Sequence, residues 1–311
     1  MTLDIEPSEE RDSLETVEPI PEPLAPPPPT LSSMFSVELA ARSHPGSDGA
    51  HNEDHYLVLR AERVLENLLT NLPESLLPGK FDEVAYGMII ADGLGGMPAG
   101  EAASAMALCK LVELVVETPD WVLRMNRRKA AVVKRRMSER FRRIDEALRQ
   151  QAEKDSRLLG MSTTLTAACS LGTDLFLGHI GDSRAYLLRG NGLHQLTRDY
   201  TLGQALIDSG VGEAENTIVR GMRRVLTAAL GMAELHAEPQ IQHLRLKPRD
   251  QLLLCTDGLT EHVEAATTAS ILCSANSADE ACRELIRAAR NVTGEDNVTV
   301  VLARYGFPQV A

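Results

Sequence analysis

The 311 residues are 43% hydrophobic and carry a formal net charge of -12, enough apolar content for a substantial core in one large domain or two ordinary ones, and an acidic balance that argues against whole-molecule nucleic-acid binding. No apolar run reaches the roughly 18 residues that span a bilayer, and the acidic N-terminus lacks the basic-then-apolar order of a secretory signal, so a soluble cytoplasmic protein is expected. The five cysteines (Cys109, Cys169, Cys255, Cys273, Cys282) are odd in number and lack CxxC spacing, which excludes a disulfide framework or zinc site and leaves them as small packing residues.

Met1 to Thr30 holds eight acids against Arg11 and eight of the sixteen prolines. With so few large apolar side chains it cannot form a core, so residues 1–33 are expected to be an acidic, Pro-rich disordered tail and 34–308 the folded domain. The β-like runs "FSVELAA", "HYLVL" and "AYGMIIA" come first, then helical patterns over Glu101 to Val116 and Arg124 to Asp155. "TTLTAACS", "DLFLGHIG" and "RAYLLR" follow, then a helix over Leu202 to Ser209, "QLLLCT", a helix over Ser277 to Arg290, and "NVTVVLARY". Strands come in groups and helices in groups, which predicts an α+β fold with antiparallel sheets instead of a doubly wound parallel sheet. No internal repeat is present.

Acids recur at the edges of these strands. Asp92 ends "MIIADGLGGM", Glu53 and Asp54 precede "HYLVL", Asp182 follows "DLFLGHIG", Asp257 follows "QLLLCT", and Asp296 precedes "NVTVVL". Asp92-Gly93 alone also suits a plain tight turn. Taken together, oxygen donors beside small residues suit hard divalent cations such as Mg²⁺ and Mn²⁺, and converging carboxylates would repel one another without them. Two such ions about 4 Å apart are a known arrangement for displacement at phosphorus.

The ordered segments "NED", "DGLGGMPAGEAAS", "MSTTLTAA", "GDSRAYLLR", "LTRDYTL", "LTAALG", "LLLCTDGLTEHV" and "GEDNVTVV" resemble the motif series of the metal-dependent protein phosphatases, the type 2C serine/threonine family, in a bacterial style. They cover Phe35 to Tyr305. The resemblance implies a four-layer αββα sandwich of two antiparallel β-sheets flanked by helices. It also implies two divalent metal ions, Mn²⁺ or Mg²⁺, with a weaker third, and hydrolysis of phosphoserine or phosphothreonine in a phosphoprotein by direct attack of metal-activated water. By motif matching Asp92 bridges both ions and the Gly93 carbonyl ligates one of them, Asp257 and Asp296 complete the first site, Glu53 the second, and Asp182 helps hold the third. Asp54 orients water and Asn297 supports Asp296. The cysteines are then not nucleophiles.

Gly49 stands where this family usually has a phosphate-gripping arginine, and neither lysine nor histidine reproduces a guanidinium fork. Arg42, His44 and His51 are the nearby candidate substitutes. Leu94 replaces the histidine that some relatives use to protonate the leaving group, for which a metal-bound water, His51 or His44 is a candidate. Tyr200 and Ala228 also depart from the pattern, at the borders of a flap over Thr201 to Gly231. The missing arginine leaves a second reading open: a phosphatase-like binding or regulatory module with weak or no turnover.

Arg124 to Arg149 carries eleven Lys or Arg against Glu139, Asp145 and Glu146. Met125, Val132, Val133, Met137, Phe141, Ile144 and Leu148 form its predicted packing stripe. The opposite face is a solvated surface, or a docking site for protein, including intramolecular contact of the acidic tail with this basic helix, 124–149. Contact with nucleic acid or an anionic membrane is the less favoured reading, because no aromatic interleaving or groove-binding motif accompanies the charge.

Overall fold

The computed structural model describes residues 35–46, 51–66, 68–71, 81–96, 98–118, 127–211, 216–232, 238–291 and 296–307. The acidic segment 1–33, Gly49 and Met125 lie outside them. The strands are β1 (Ser36–His44), β2 (Asp54–Leu65), β3 (Phe81–Leu94), β4 (Ser162–Thr163), β5 (Leu165–Leu171), β6 (Asp174–Ile180), β7 (Arg184–Arg189), β8 (Gly192–Gln195), β9 (Gln240–Arg245), β10 (Gln251–Cys255) and β11 (Val298–Gly306). The helices are α1 (Ala99–Glu117), α2 (Arg127–Lys154), α3 (Leu202–Asp208), α4 (Thr217–Gly221), α5 (Asp257–Thr260), α6 (Ala265–Ser274) and α7 (Ala278–Arg290).

Two sheets result, in the orders β1-β11-β10-β7-β8 and β2-β3-β5-β6-β9, with β4 pairing β3 beside the second. Their pairings are antiparallel. Alternation along each strand sorts side chains to opposite faces, and that sorting makes the layers. Met88 and Ile90 of β3 meet Leu252, Leu254 and Val301 in the core between the sheets. Ile89 and Ala91 face the other way, against α1 and α2. Leu253 and Cys255 of β10 likewise face α7. The order is helix, sheet, sheet, helix, as the resemblance implies.

The predicted strands and helices are present, with ends shifted by a few residues. Sequence reading did not anticipate β8, β9, α4, α5 and α6. On α2 the packing stripe is Ala130, Val133, Met137, Phe141, Ile144 and Leu148; Val132 is 37% exposed and Ala130 packs in the core instead. The run Ala130, Val133, Met137 keeps the three-and-four spacing of one helix face, from which Val132 is rotated away. Among the described residues no helix is long and apolar enough to cross a membrane.

Candidate metal centre

Antiparallel pairing brings the first two acids together: Asp54 opens β2, Asp92 lies near the end of β3, and the register sets them directly opposite each other. The tight turn that Asp92-Gly93 allowed is not formed there. The ladder continues, Gly93 pairing with Thr163 and Leu94 with Ser162 of β4, and the chain turns at Gly95 and Gly96. Asp257 starts α5 where β10 ends, and Asp296 precedes β11. Because β10 and β11 are antiparallel neighbours, these two acids leave the same end of the first sheet. Asp182 follows β6 and is 8% exposed.

Hydrogen bonds fix the backbone that carries them. Thr256 Oγ1 donates to Asp54 Oδ2 at 2.9 Å and accepts from the Thr299 amide at 3.0 Å, tying the two sheets at this end. Asn297 Oδ1 accepts from the Glu53 amide at 2.8 Å, and the Asn297 amide donates to Asp296 Oδ1 at 2.8 Å. The Glu53 carbonyl accepts from the Gly93 amide at 3.1 Å and from Ser104 Oγ at 2.6 Å. A Cβ on Gly93 would collide with the Gly100 carbonyl, and one on Gly100 with the Glu53 carboxylate. The helix α1 can therefore approach the acids only because both positions are bare.

Burial pushes the Asp54 carboxyl up to about 7, with hydrogen bonds from Thr299 and Thr256 opposing and the charges of Asp257 and Asp296 adding. Asp257 is also pushed up to about 7, by loss of water and then by Asp296 and Glu261. Asp92 stands well above the carboxylate range through burial and then Asp54, Asp257, Asp182 and Asp296. Burial, Asp257 and Asp199 raise Asp182 in the same way, and burial and Glu101 raise Glu53. Carboxylates that oppose one another's ionisation are relieved by a divalent cation, and the donors are all oxygen. Asp54 Oδ1 is buried with no hydrogen-bond partner, an orphan that a cation or a bound water would satisfy. The residues fit hard divalent metal ions. Among the described residues no three Asp, Glu, His or Cys donors stand as a finished ligand group, so the centre is a convergence of strand ends and not a closed cage.

Of the three proposed phosphate partners, the structure brings only His51 to the acids. Arg42 donates from Nε and Nη2 to Asp279 Oδ1 at 3.1 and 2.6 Å, on the face covered by α7. His44 lies on that face too, its pKa lowered by burial and by Arg290 of α7. The pleat explains both, since Ser43 between them is the β1 residue whose side chain reaches Asn52 and Thr299. His51 is exposed and lines a cleft of about 420 Å³ with Asp54, His55, Tyr56 and Glu101. Cys255 and Cys282 are buried, each thiol pushed up to about 12 by burial, consistent with packing roles. Cys109 and Cys273 are exposed, against the expectation that the cysteines pack. Thr256, Ser104 and Glu101 were not anticipated; the position of Thr256 directly before Asp257 was the available signal.

Residues 79–299 match the sequence model of the family described as Protein phosphatase 2C. The serine/threonine phosphatase stp of Listeria welshimeri is 33% identical over 222 residues, 71% of this chain and 85% of that protein. PstP of Mycobacterium tuberculosis, a serine/threonine protein phosphatase, is 38% identical over 216 residues, 70% of this chain and 40% of that protein. A crystal structure of the PstP catalytic domain in complex with two manganese ions superposes with a TM-score of 0.66 at 31% identity, covering 88% of this chain and 99% of that one.

Proposed function

The chain belongs to the protein phosphatase 2C family, and from that premise we propose that the Asp54–Asp92 pair is the centre of its chemistry, dephosphorylation of phosphoserine and phosphothreonine in proteins. It is a metal-dependent serine/threonine protein phosphatase that uses two divalent cations. In this reading Asp92 would serve both ions and the Gly93 carbonyl one of them; Asp257 and Asp296 would complete the first site, Glu53 the second, and Asp182 would help hold a weaker third. Two bound cations supply a water of lowered pKa and neutralise charge on the phosphoryl oxygens.

The protein's own groups then hold and aim. Thr256 occupies Asp54 Oδ2, which leaves Oδ1 to accept a proton from the attacking water and orient it. Asn297 holds Glu53 and Asp296 in one frame, and Ser104 fixes the Glu53 carbonyl. The observation that supports this reading best is the direct cross-strand pairing of Asp54 with Asp92, beside the other acids that raise their pKa values. The substrate is proposed to be a phosphoprotein made by a bacterial Ser/Thr kinase, met in the cytoplasm.

The test is phosphate release from a phosphothreonine peptide as Mn²⁺ is titrated into EDTA-stripped protein, beside Asp257→Asn. Turnover that rises with Mn²⁺ and falls at least about a hundredfold in the variant is expected, the scale for losing electrostatic stabilisation of a transition state. Turnover indifferent to metal, or unchanged in the variant, would remove the assignment.

A further inference from the structure

A phosphoryl group entering a cluster of carboxylates needs cationic partners on the protein, because its oxygens bring more negative charge. Arg42 is spent on Asp279, away from the acids. Arg184 lies near enough for its charge to oppose the rise at Asp182, but it is 20% exposed and forks onto Asp199, with Nη1 on the Tyr186 hydroxyl. Arg224 differs from both. It is 70% exposed, and its Nε and Nη2 donate to Oε1 and Oε2 of Glu261 at 2.8 and 2.5 Å.

Glu261 in turn closes the short helix α5, its amide donating to the Asp257 carbonyl at 2.8 Å. The guanidinium therefore stands one helical turn from a carboxylate of the centre. It is carried there by the segment between Thr201 and Gly231, which returns to the second sheet through the pairing of Leu230 with Thr163, itself the partner of Gly93. Glu261 chiefly, then Asp257 and Asp296, hold the Arg224 guanidinium charged, which places its field over the acids. No described residue engages its Nη1 donors.

We infer that Arg224 is the phosphate-binding arginine of this enzyme: Glu261 orients the fork through Nε and Nη2, and Nη1 is left to meet the substrate phosphate oxygens beside Asp257. This rests on the phosphatase reading and moves phosphate recognition to the flap, away from the β1–β2 connection that contains Gly49. A planar guanidinium held by one carboxylate is pre-organised to take a second oxyanion. An ordinary surface ion pair between flap and body is the alternative, and it contributes little.

The test compares the full chain with Arg224→Ala, Arg224→Lys and Glu261→Gln. Steady-state hydrolysis of a phosphothreonine peptide with Mn²⁺, inhibition by inorganic phosphate, and calorimetry of inorganic phosphate with Mg²⁺-loaded protein are the readouts. Arg224→Ala is expected to raise KM and weaken phosphate binding about tenfold or more, the scale of a charged hydrogen bond, with a smaller change in kcat. Lysine should recover part of the loss, and Glu261→Gln, which keeps the guanidinium, should lose less than alanine does. Phosphate binding within about twofold of the parent in Arg224→Ala, or a Glu261→Gln variant as impaired as Arg224→Ala, would overturn the inference. A parent protein without turnover would instead remove the phosphatase reading, and calorimetry would still judge Arg224.

Discussion

His179 is fully buried in β6, its Nδ1 2.8 Å from Thr166 Oγ1. Burial pushes its pKa down to about 4, with Asp199 opposing that fall and Arg184 adding to it. The unfolded chain takes up the proton near pH 6.5 while the folded chain refuses it. For this group the stability is complete above that point and is lost as pH falls from about 6.5 towards about 4, by up to about 3 kcal/mol. In metal-free protein the buried acids Asp54 and Asp257, raised to about 7, act the other way over the same range, so His179 is read as a difference: in urea unfolding of EDTA-treated protein the parent should lose stability relative to His179→Gln as pH falls from about 6.5 to 5, while the variant is the less stable at pH 8. A difference between the two that stays constant over that range would remove the assignment. Neither this burial nor the support that Thr256 and Ser104 give the acids was legible in sequence, since each depends on a partner far along the chain. The acids themselves were legible, because a carboxylate at a strand edge beside glycine is a local pattern.

At the scale of elements, the short continuous apolar runs "AYGMIIA" and "QLLLCT" located strands whose two faces are both buried. β9, with partly buried positions in polar sequence, offered no such contrast. Nor did α5, four residues long, or the Thr-rich α6, whose N-cap Glu264 makes no side-chain capping bond. By comparison α7 announced itself through Ser277, whose side chain accepts from the Glu280 amide. Register was the least legible feature: the Asp54–Asp92 pairing is set by β2 and β3 aligning along their whole length. The contact of α2 with β6 shows how tight that packing is. A Cβ on Gly178 would lie 2.8 Å from the Phe141 ring, and Phe141 is 1% exposed. Gly178→Ala should destabilise by about 1–3 kcal/mol through overpacking, and Phe141→Ala by about 3–5 kcal/mol through the cavity it leaves. If ring and glycine are coupled, the double variant should cost less than the two singles added, as read by denaturant midpoints in a double-mutant cycle. Strict additivity would mean that the strand shifts instead of the ring.

Over the whole molecule, the sequence sets an acidic segment against a basic one. The structure reduces the basic side of that contrast. On α2, Arg142 pairs with Glu139 and Glu146, Arg149 with Asp145, and Arg143 reaches Glu117 of α1. Three of the eleven positive charges counted between 124 and 149 are thus paired on the helix itself or by its neighbour. Any attraction of residues 1–33 to this surface must act through the remaining charge, at solvent-exposed distances where salt screens it within about 10 Å at 0.1 M. The α2 surface also touches the flap: Asp145 Oδ1 accepts from the Gly231 amide at 2.8 Å, so a segment resting on α2 lies beside the element that carries Arg224. Removal of residues 1–33 is accordingly expected to alter KM for a phosphopeptide at about 0.02 M salt and to have no effect at about 0.5 M, where the Debye length falls to a few ångströms. Equal kinetics for the two proteins at both salt concentrations would show that the acidic segment does not act on the catalytic domain through charge. A difference that persists at high salt would point to apolar contact by the same segment, a distinction net charge alone does not make.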